Sequence, residues 1–439
     1  MISLSDMQVV VLMGGLGTRL KEYTKECPKS LVDVEGHPFF DYQLNLLTAW
    51  GFKRFVFLIG YKADMIEEYF GDGSDRGISI KYCYDGEKLL GTGGAVRRAY
   101  DLLDDDFILI YGDSFMDIDY AETIYRYNIG KAAGKKALMT VLKNGNRFDK
   151  SNVVMNGREL VLYDKHHPTP EMDYIDYGVC AYAKSLFDGY EEDIAFDIAE
   201  IQNKLSLENK LAAQIVTKRF YEIGNPDSLA EFAKYAQYRF GGNHPAVFLD
   251  RDGVINEIVW NDDIEQLDSP LKPEQFVLLE GVSQAIKLIK EKGYYVFVVT
   301  NQPAAAKGKT TLSSLYDINT HMIEILRDEG AEIDDIFMCP HYPKRLPMTR
   351  EEFLIKECDC RKPKAGLIYR AMRKYGVDLS RSYMVGDSCS DVNAGARAGL
   401  MTVFLGDLKC DACKRLEKTE PMFIAQNLKE FADSLESVK

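Results

Sequence analysis

The chain has 439 residues, more than one ordinary hydrophobic core supports, so two or three folded units are expected. Apolar residues make up 46% and charged residues 28%, a balance that excludes a disordered or fibrous chain. The formal net charge of -14 repels polyanions, so general binding to nucleic acid or an acidic membrane is not expected, and a small anionic substrate needs a local basic pocket.

The opening MISLSDMQVVVLMGG has no basic segment ahead of its apolar run, and the run is too short to cross a membrane. A cytoplasmic protein is therefore expected, and its nine cysteines are expected to bind metal or to be buried rather than form disulfides. Four short apolar runs read as buried strands: Val9 to Met13, Phe55 to Gly60, Phe107 to Gly112 and Ala137 to Leu142. Helical patterns such as FFDYQLNLLTAWG and YAETIYRYNIGKAAG lie between them, and this alternation predicts a mainly parallel sheet with helices on both faces. A long helical pattern, PDSLAEFAKYAQYRF, then meets GGNHP at Gly241 to Pro245, which breaks any helix and marks a boundary. The rhythm restarts with Ala246 to Asp250, Tyr295 to Thr300, Asp334 to Cys339, Tyr383 to Asp387 and Met401 to Leu405.

GGLGTRL follows the first strand, and PKSL comes soon after. Gly14, Gly15 and Gly17 let backbone N–H groups approach a polyphosphate, while Arg19 and Lys29 supply positive charge; the glycines alone equally suit a tight turn. With the downstream PK, this stretch resembles the sugar-1-phosphate nucleotidyltransferases, and the resemblance covers residues 7 to 237. It implies nucleotide binding by Gly14, Gly15, Gly17 and Thr18, and by Gly91, Thr92 and Gly93 in LGTGGA, taken as a loop along the nucleoside. It also implies Mg²⁺ on Asp113 of YGDS, a sugar phosphate gripped by Lys165 of YDK, and a sugar loop around Gly178 of IDYG. Glu222 of YEIG stands where that family usually has an aspartate as its second metal carboxylate. The chemistry implied is attack of a sugar 1-phosphate oxygen on a nucleotide α-phosphorus as pyrophosphate leaves, with no protein nucleophile. His166 and His167 read as loop residues.

In FLDRDGVIN, Asp250 and Asp252 end a strand two residues apart, so both carboxylates can face one side of the emerging loop, although Asp-Gly also forms ordinary turns. TNQ at Thr300 to Gln302, RKPK at Arg361 to Lys364 and GDSCSD at Gly386 to Asp391 follow in order. This set resembles the haloacid-dehalogenase (HAD)-type phosphatases. The resemblance implies Asp250 as nucleophile, Asp252 as acid and base, and Mg²⁺ held by Asp250, Asp387 and a backbone carbonyl near Asp252. Thr300, Asn301, Arg361 and Lys362 would hold the phosphorylated sugar. Cys339, His341, Cys358 and Cys360 form a soft tetrahedral donor set suited to structural Zn²⁺, in the pattern of the heptose bisphosphate and histidinol-phosphate phosphatases. Pro303, Ala304 and Ser388 depart from that family's usual residues, and Cys410 and Cys413 read as plain surface cysteines.

Together the resemblances imply an α/β chain of two domains. Residues 1–240 would be a Rossmann-like nucleotidyltransferase with a mixed sheet, and residues 246–439 a HAD-like phosphatase with a parallel sheet. The expected partners are sugar phosphates and a nucleoside triphosphate, with Mg²⁺ at both sites and no nucleic acid or membrane. The implied activity is 7-dephosphorylation of a heptose 1,7-bisphosphate, then nucleotidyl transfer from GTP to the 1-phosphate. Another sugar with another nucleotide stays open, as do a nucleotide-sensing first half and the oligomeric state.

Overall fold

The computed structural model describes residues 2–15, 17–86, 88–261, 265–407 and 420–438. They fall into two compact units, Met1–Tyr238 and Arg239–Lys439.

The first unit is built on a nine-stranded sheet. Gln8–Leu12 lies at its centre, parallel to both Arg54–Ile59 and Asp106–Tyr111, and Ser79–Tyr84 extends the parallel side. Beyond Asp106–Tyr111 the direction reverses, because the ten-residue strand Tyr174–Ala183 pairs antiparallel with it and with Ala137–Lys143. The sheet is therefore mixed, whereas the alternation of strands and helices alone predicts a mainly parallel one. Side chains alternate along each strand, so Val9 and Val11 enter one core with Phe39, Phe40 and Ile124, while Val10 enters another with Val96, Ile198 and Ile201. Helices cover both faces, as the apolar runs demand.

The second unit carries a six-stranded sheet in the order Asp335–Cys339, Tyr295–Asn301, Ala246–Leu249, Tyr383–Gly386, Met401–Leu405, Phe423–Ala425. Every pairing is parallel. Phe248, Phe297 and Met384 pack one face against Leu367, Ile368 and Ala371 of the helix Gly366–Tyr375. Parallel strands end together, so Asp250, Gln302 and Asp387 emerge at one edge, where open α/β sheets take their ligands. No helix among the described residues is long and apolar enough to cross a membrane. Cys410 and Cys413 lie outside the described residues.

Candidate active sites

In the first unit the strands Gln8–Leu12 and Asp106–Tyr111 run side by side and deliver Gly14 and Asp113 to the same edge. Gly14, Gly15, Lys29, Asp113, Gly91 and Thr92 line a cavity of about 290 Å³. Its remaining walls are largely apolar, from Leu12, Leu58, Leu89, Leu90 and Ala95. Lys29 Nζ lies 2.5 Å from Asp113 Oδ2. A two-residue ribbon, Ser114–Phe115 against Tyr221–Glu222, sets Glu222 beside Asp113. Glu222 keeps an exposed edge, yet neighbouring atoms and the Asp113 charge raise its carboxyl against the pull of Lys29 and Arg19. Arg19 reaches the same corner: a Cβ on Gly224 would meet Glu222 Oε1 at 2.9 Å and Arg19 Nη2 at 3.6 Å. Gly17 adopts φ +59 and opens the turn that leads to a short helix beginning at Thr18.

LGTGGA is not a loop, since Gly91–Arg98 is an α-helix. A Cβ on Gly91 would stand 2.6 Å from the Phe196 carbonyl oxygen, and one on Gly93 would stand 2.1 Å from the Phe196 ring. These glycines let the segment before helix Ile198–Leu207 close onto this one, and Thr92 Oγ1 ties the pair by donating to Asp197 at 2.8 Å and accepting from Ile198 N at 2.9 Å.

Asp113, Arg19 and Glu222 also line a second cavity of about 890 Å³ with Lys165, Asp176 and Gly178. Lys165 Nζ pairs with Asp197 at 2.8 Å. Gly178 lies in a bulged strand rather than a loop, at φ +95, where the pairing of Tyr174–Ala183 with Ala137–Lys143 shifts register between Asp176 and Cys180. The bulge turns Asp176 toward the cavity. Burial raises its carboxyl to about 6 against hydrogen bonds from Gly178 N at 3.0 Å and Gln202 Nε2 at 3.4 Å. Asp176 stands inside IDYG, of which the sequence reading singled out only the glycine, and Asp197 stands in none of the motifs read. His166 and His167 are exposed, with their backbone amides bonded to Asp164.

In the second unit Lys362, buried to 3% exposure, places Nζ 2.9 Å from Asp250 Oδ1 and 2.6 Å from Asp391 Oδ1. Oxygens of Asp250, Asp387 and Asp391 converge within 4.8 Å of one another. Burial and the Asp391 charge push Asp250 up to about 7, and the same two causes push Asp387 up to about 6. Asp252 is not in this cluster. Its carboxylate accepts from Gln302 Nε2 at 2.6 Å, from Asn256 Nδ2 at 3.1 Å and from the fully buried Arg251 at 3.1 Å. Burial alone would raise it, but Arg251 and these donors outweigh burial and hold it below the usual carboxylate range. A third carboxylate facing Asp250 and Asp387 is that of Asp391, which the sequence carries at the end of GDSCSD, one helical turn beyond Asp387.

Thr300 is buried and accepts from Gln302 Nε2 at 2.9 Å. Asn301 is occupied by the Lys362 backbone, donating to its carbonyl at 3.0 Å and accepting from its amide at 2.9 Å, so it positions Lys362. Arg361 donates to the His341 carbonyl at 3.3 Å and faces the Tyr342 ring. Ser388 caps the helix Cys389–Ala398 in a box with Asp391.

Cys339, His341, Cys358 and Cys360 converge, each able to offer one ligand atom. Cys339 Sγ lies 3.7 Å from Cys358 Sγ and 3.1 Å from Cys360 Sγ, and His341 Nδ1 lies 3.2 Å from Cys360 Sγ. Ligands about 2.3 Å from a tetrahedral ion stand about 3.8 Å apart, so the four donors fit Zn²⁺ with little movement. The neighbouring Cys339 sulfur and burial push the Cys360 thiol up to about 12.

Residues 8–238 match the nucleotidyl transferase family, and residues 359–431 match the HAD-hydrolase-like family. Over 227 residues the chain is 30% identical to D-glycero-alpha-D-manno-heptose 1-phosphate guanylyltransferase of Campylobacter jejuni, covering 52% of this chain and 98% of that one. Over 161 residues it is 38% identical to D-glycero-beta-D-manno-heptose-1,7-bisphosphate 7-phosphatase of Haemophilus ducreyi, covering 36% and 81%. Over 158 residues it is 37% identical to the D-glycero-alpha-D-manno-heptose-1,7-bisphosphate 7-phosphatase of Photorhabdus laumondii, covering 36% and 80%. With its first half matched along the length of one group and its second half along most of the other, the chain belongs both to the nucleotidyl transferases and to the HAD-type phosphatases.

Proposed function

We propose that this one chain performs consecutive reactions: the second unit removes the 7-phosphate of D-glycero-D-manno-heptose 1,7-bisphosphate, and the first transfers GMP from GTP to the resulting heptose 1-phosphate. The observation that carries this reading is the pairing of relatives, since removing the 7-phosphate from the substrate named for one group leaves the substrate named for the other. The alpha anomer follows from the guanylyltransferase, because a 7-phosphatase feeding it must leave an alpha 1-phosphate.

In the phosphatase unit the Asp250 carboxylate attacks the 7-phosphorus, forming an aspartyl-phosphate as the bond to the sugar oxygen breaks. Asp252 gives that oxygen its proton. It then takes one from the water that attacks the phosphorus, releasing phosphate and restoring Asp250. Arg251 keeps Asp252 ionised at rest; the arriving phosphate dianion raises it by like-charge repulsion, so that it takes up from solvent the proton it then gives to the sugar oxygen. Lys362 neutralises the transferring group. Asp250, Asp387 and Asp391 suit Mg²⁺, because three crowded carboxylates with one lysine leave uncompensated negative charge. When bound there, Mg²⁺ lowers the repulsion between the anionic nucleophile and the anionic phosphate. Cys339, His341, Cys358 and Cys360 would hold Zn²⁺, which would stiffen the loop that carries Arg361 and Lys362.

In the transferase unit an oxygen of the sugar 1-phosphate attacks the α-phosphorus and the bond to the pyrophosphate oxygen breaks. Gly14, Gly15 and Lys29 receive the triphosphate, Arg19 and Lys165 hold phosphate charge, and Asp113 with Glu222 would carry Mg²⁺, their adjacent carboxylates being otherwise mutually repulsive. Asp176 lines the sugar cavity, where it can accept from sugar hydroxyls.

The test is Asp250→Asn with each sugar separately. The variant is expected to make GDP-heptose from heptose 1-phosphate and GTP, to release no phosphate from the 1,7-bisphosphate, and to make no GDP-heptose from it. Wild type that strips the 1-phosphate instead, or that rejects both heptose phosphates, refutes the pathway.

A further inference from the structure

In the second unit the helix Leu312–Asp328 buries a stripe of Leu315, Met322 and Leu326, and Asn319 stands on that stripe where the spacing calls for another apolar residue. Asn319 is 7% exposed. An asparagine inside a helix competes with the helix's own hydrogen bonds, and a buried amide is costly unless it is bonded, so its place needs a reason outside the helix.

That reason lies at Arg251, the fully buried arginine between the two aspartates of FLDRDGVIN. Its Nη1 donates to Asn319 Oδ1 at 2.9 Å, while Nε and Nη2 each donate to Asp252 Oδ1 at 3.1 Å. A guanidinium is planar with its donors fixed in one plane, so an acceptor on one edge sets the direction of the other. The Asn319 amide is oriented in turn, because Nδ2 donates to Met338 Sδ at 3.6 Å on the strand Asp335–Cys339. Strand, helix, guanidinium and carboxylate thus form one chain of contacts that ends on the group proposed to give the sugar oxygen its proton.

We infer that Asn319 is a positioning residue of the phosphatase unit, which through Arg251 aims the Asp252 carboxyl at the departing oxygen. The inference rests on the proposed roles of Asp250 and Asp252. As the Asp250 oxygen bonds to phosphorus and the bond from phosphorus to the leaving oxygen breaks, the Asp252 proton passes to that oxygen. A misdirected donor therefore slows the reaction only as far as the leaving oxygen needs a proton.

The experiment uses the full-length chain with Mg²⁺ and three phosphate esters graded by that need. p-Nitrophenyl phosphate releases a stabilised anion and needs the proton least. Phenyl phosphate needs it more, since a phenol has a pKa of about 10, and heptose 1,7-bisphosphate releases an alcohol and needs it most. The quantity read is kcat/KM, which covers the steps up to departure of the leaving group and leaves out the later attack of water. Asn319→Leu keeps the size of the side chain and removes the acceptor. It is expected to lower kcat/KM about 10-fold or more on the heptose bisphosphate, less on phenyl phosphate, and under about 3-fold on p-nitrophenyl phosphate. Should that variant not fold, Asn319→Ala, which removes the acceptor without adding bulk, carries the same expectation. Asn319→Asp keeps an oxygen for Arg251 and should return the heptose bisphosphate to within about 3-fold of wild type. Equal losses on all three esters overturn the inference, because they make Asn319 a packing residue alone. So do full activity of Asn319→Leu on every ester and an Asn319→Asp variant no better than Asn319→Leu. Wild type that hydrolyses both aryl esters and rejects the heptose bisphosphate overturns the proposed sugar, while the ratio of the two aryl esters still decides the role of Asn319.

Discussion

A Cβ at position 253 would stand 2.1 Å from Asp387 Oδ2, and the backbone there has φ +81. Gly253 therefore has two reasons to be glycine, and Gly253→Ala should cost about 1–2 kcal/mol of strain and displace the Asp387 carboxylate. Phosphate release is expected to fall at least 10-fold in that variant while pyrophosphate release is kept, and the two assays on one preparation check it. Gly15 is the contrast, because nothing lies within 4 Å of a Cβ built there. Gly15→Ala should leave the melting temperature unchanged and weaken GTP alone. Asp176 supports a pH prediction: its folded pKa of about 6 lies above the ordinary 3.8, so the native state holds its proton more tightly than the unfolded chain. Stability from this group is full below about pH 4, falls as pH rises through 6, and is absent at pH 8. Asp176→Asn should thus stabilise the first unit at pH 8 by on the order of 1–2 kcal/mol and have little effect near pH 4, measured as urea midpoints at both values. At this scale the sequence was readable where an acid ended an apolar run, as with Asp113, Asp250 and Asp387. It was unreadable where the environment decides, since only the fold reveals that burial raises Asp176 or that Asp252 turns toward Arg251.

Elements divide along the same line. Strong apolar runs such as Phe55 to Gly60 became strands where expected, because burial on both faces needs an unbroken apolar sequence. Tyr174–Ala183 was hidden because its bulge interrupts the alternation that marks a strand. The ribbon of Ser114–Phe115 with Tyr221–Glu222 is too short for any period, yet with the Ile223 amide bonded to the Asp113 carbonyl it brings Glu222 to Asp113. Helix Gly91–Arg98 was concealed by glycines that weaken helices and are needed for Phe196. On the proposed zinc site, the loop holding the four soft donors would be held together by its metal. Purified protein is expected to contain about one zinc per chain, and Cys358→Ser with Cys360→Ser should lose it and slow phosphate release, with metal analysis as the check.

At the scale of the molecule, each unit has its own sheet and its own buried core. Lys29→Ala or Asp113→Ala should therefore abolish nucleotide transfer and leave phosphate release within about 2-fold of wild type, since changes without shared partners act independently. Loss of both activities in a folded variant would contradict that separation. Two cores on one polypeptide also fix a stoichiometry that separate genes would leave adjustable. On the proposed function, every copy that makes the sugar 1-phosphate brings exactly one copy that consumes it, whatever the level of expression. Raising synthesis of the chain scales both fluxes together and cannot change their ratio. Whether the intermediate accumulates is then decided by the two turnover rates and Michaelis constants alone, so a mutation in either site shifts a metabolite pool that no promoter can rebalance.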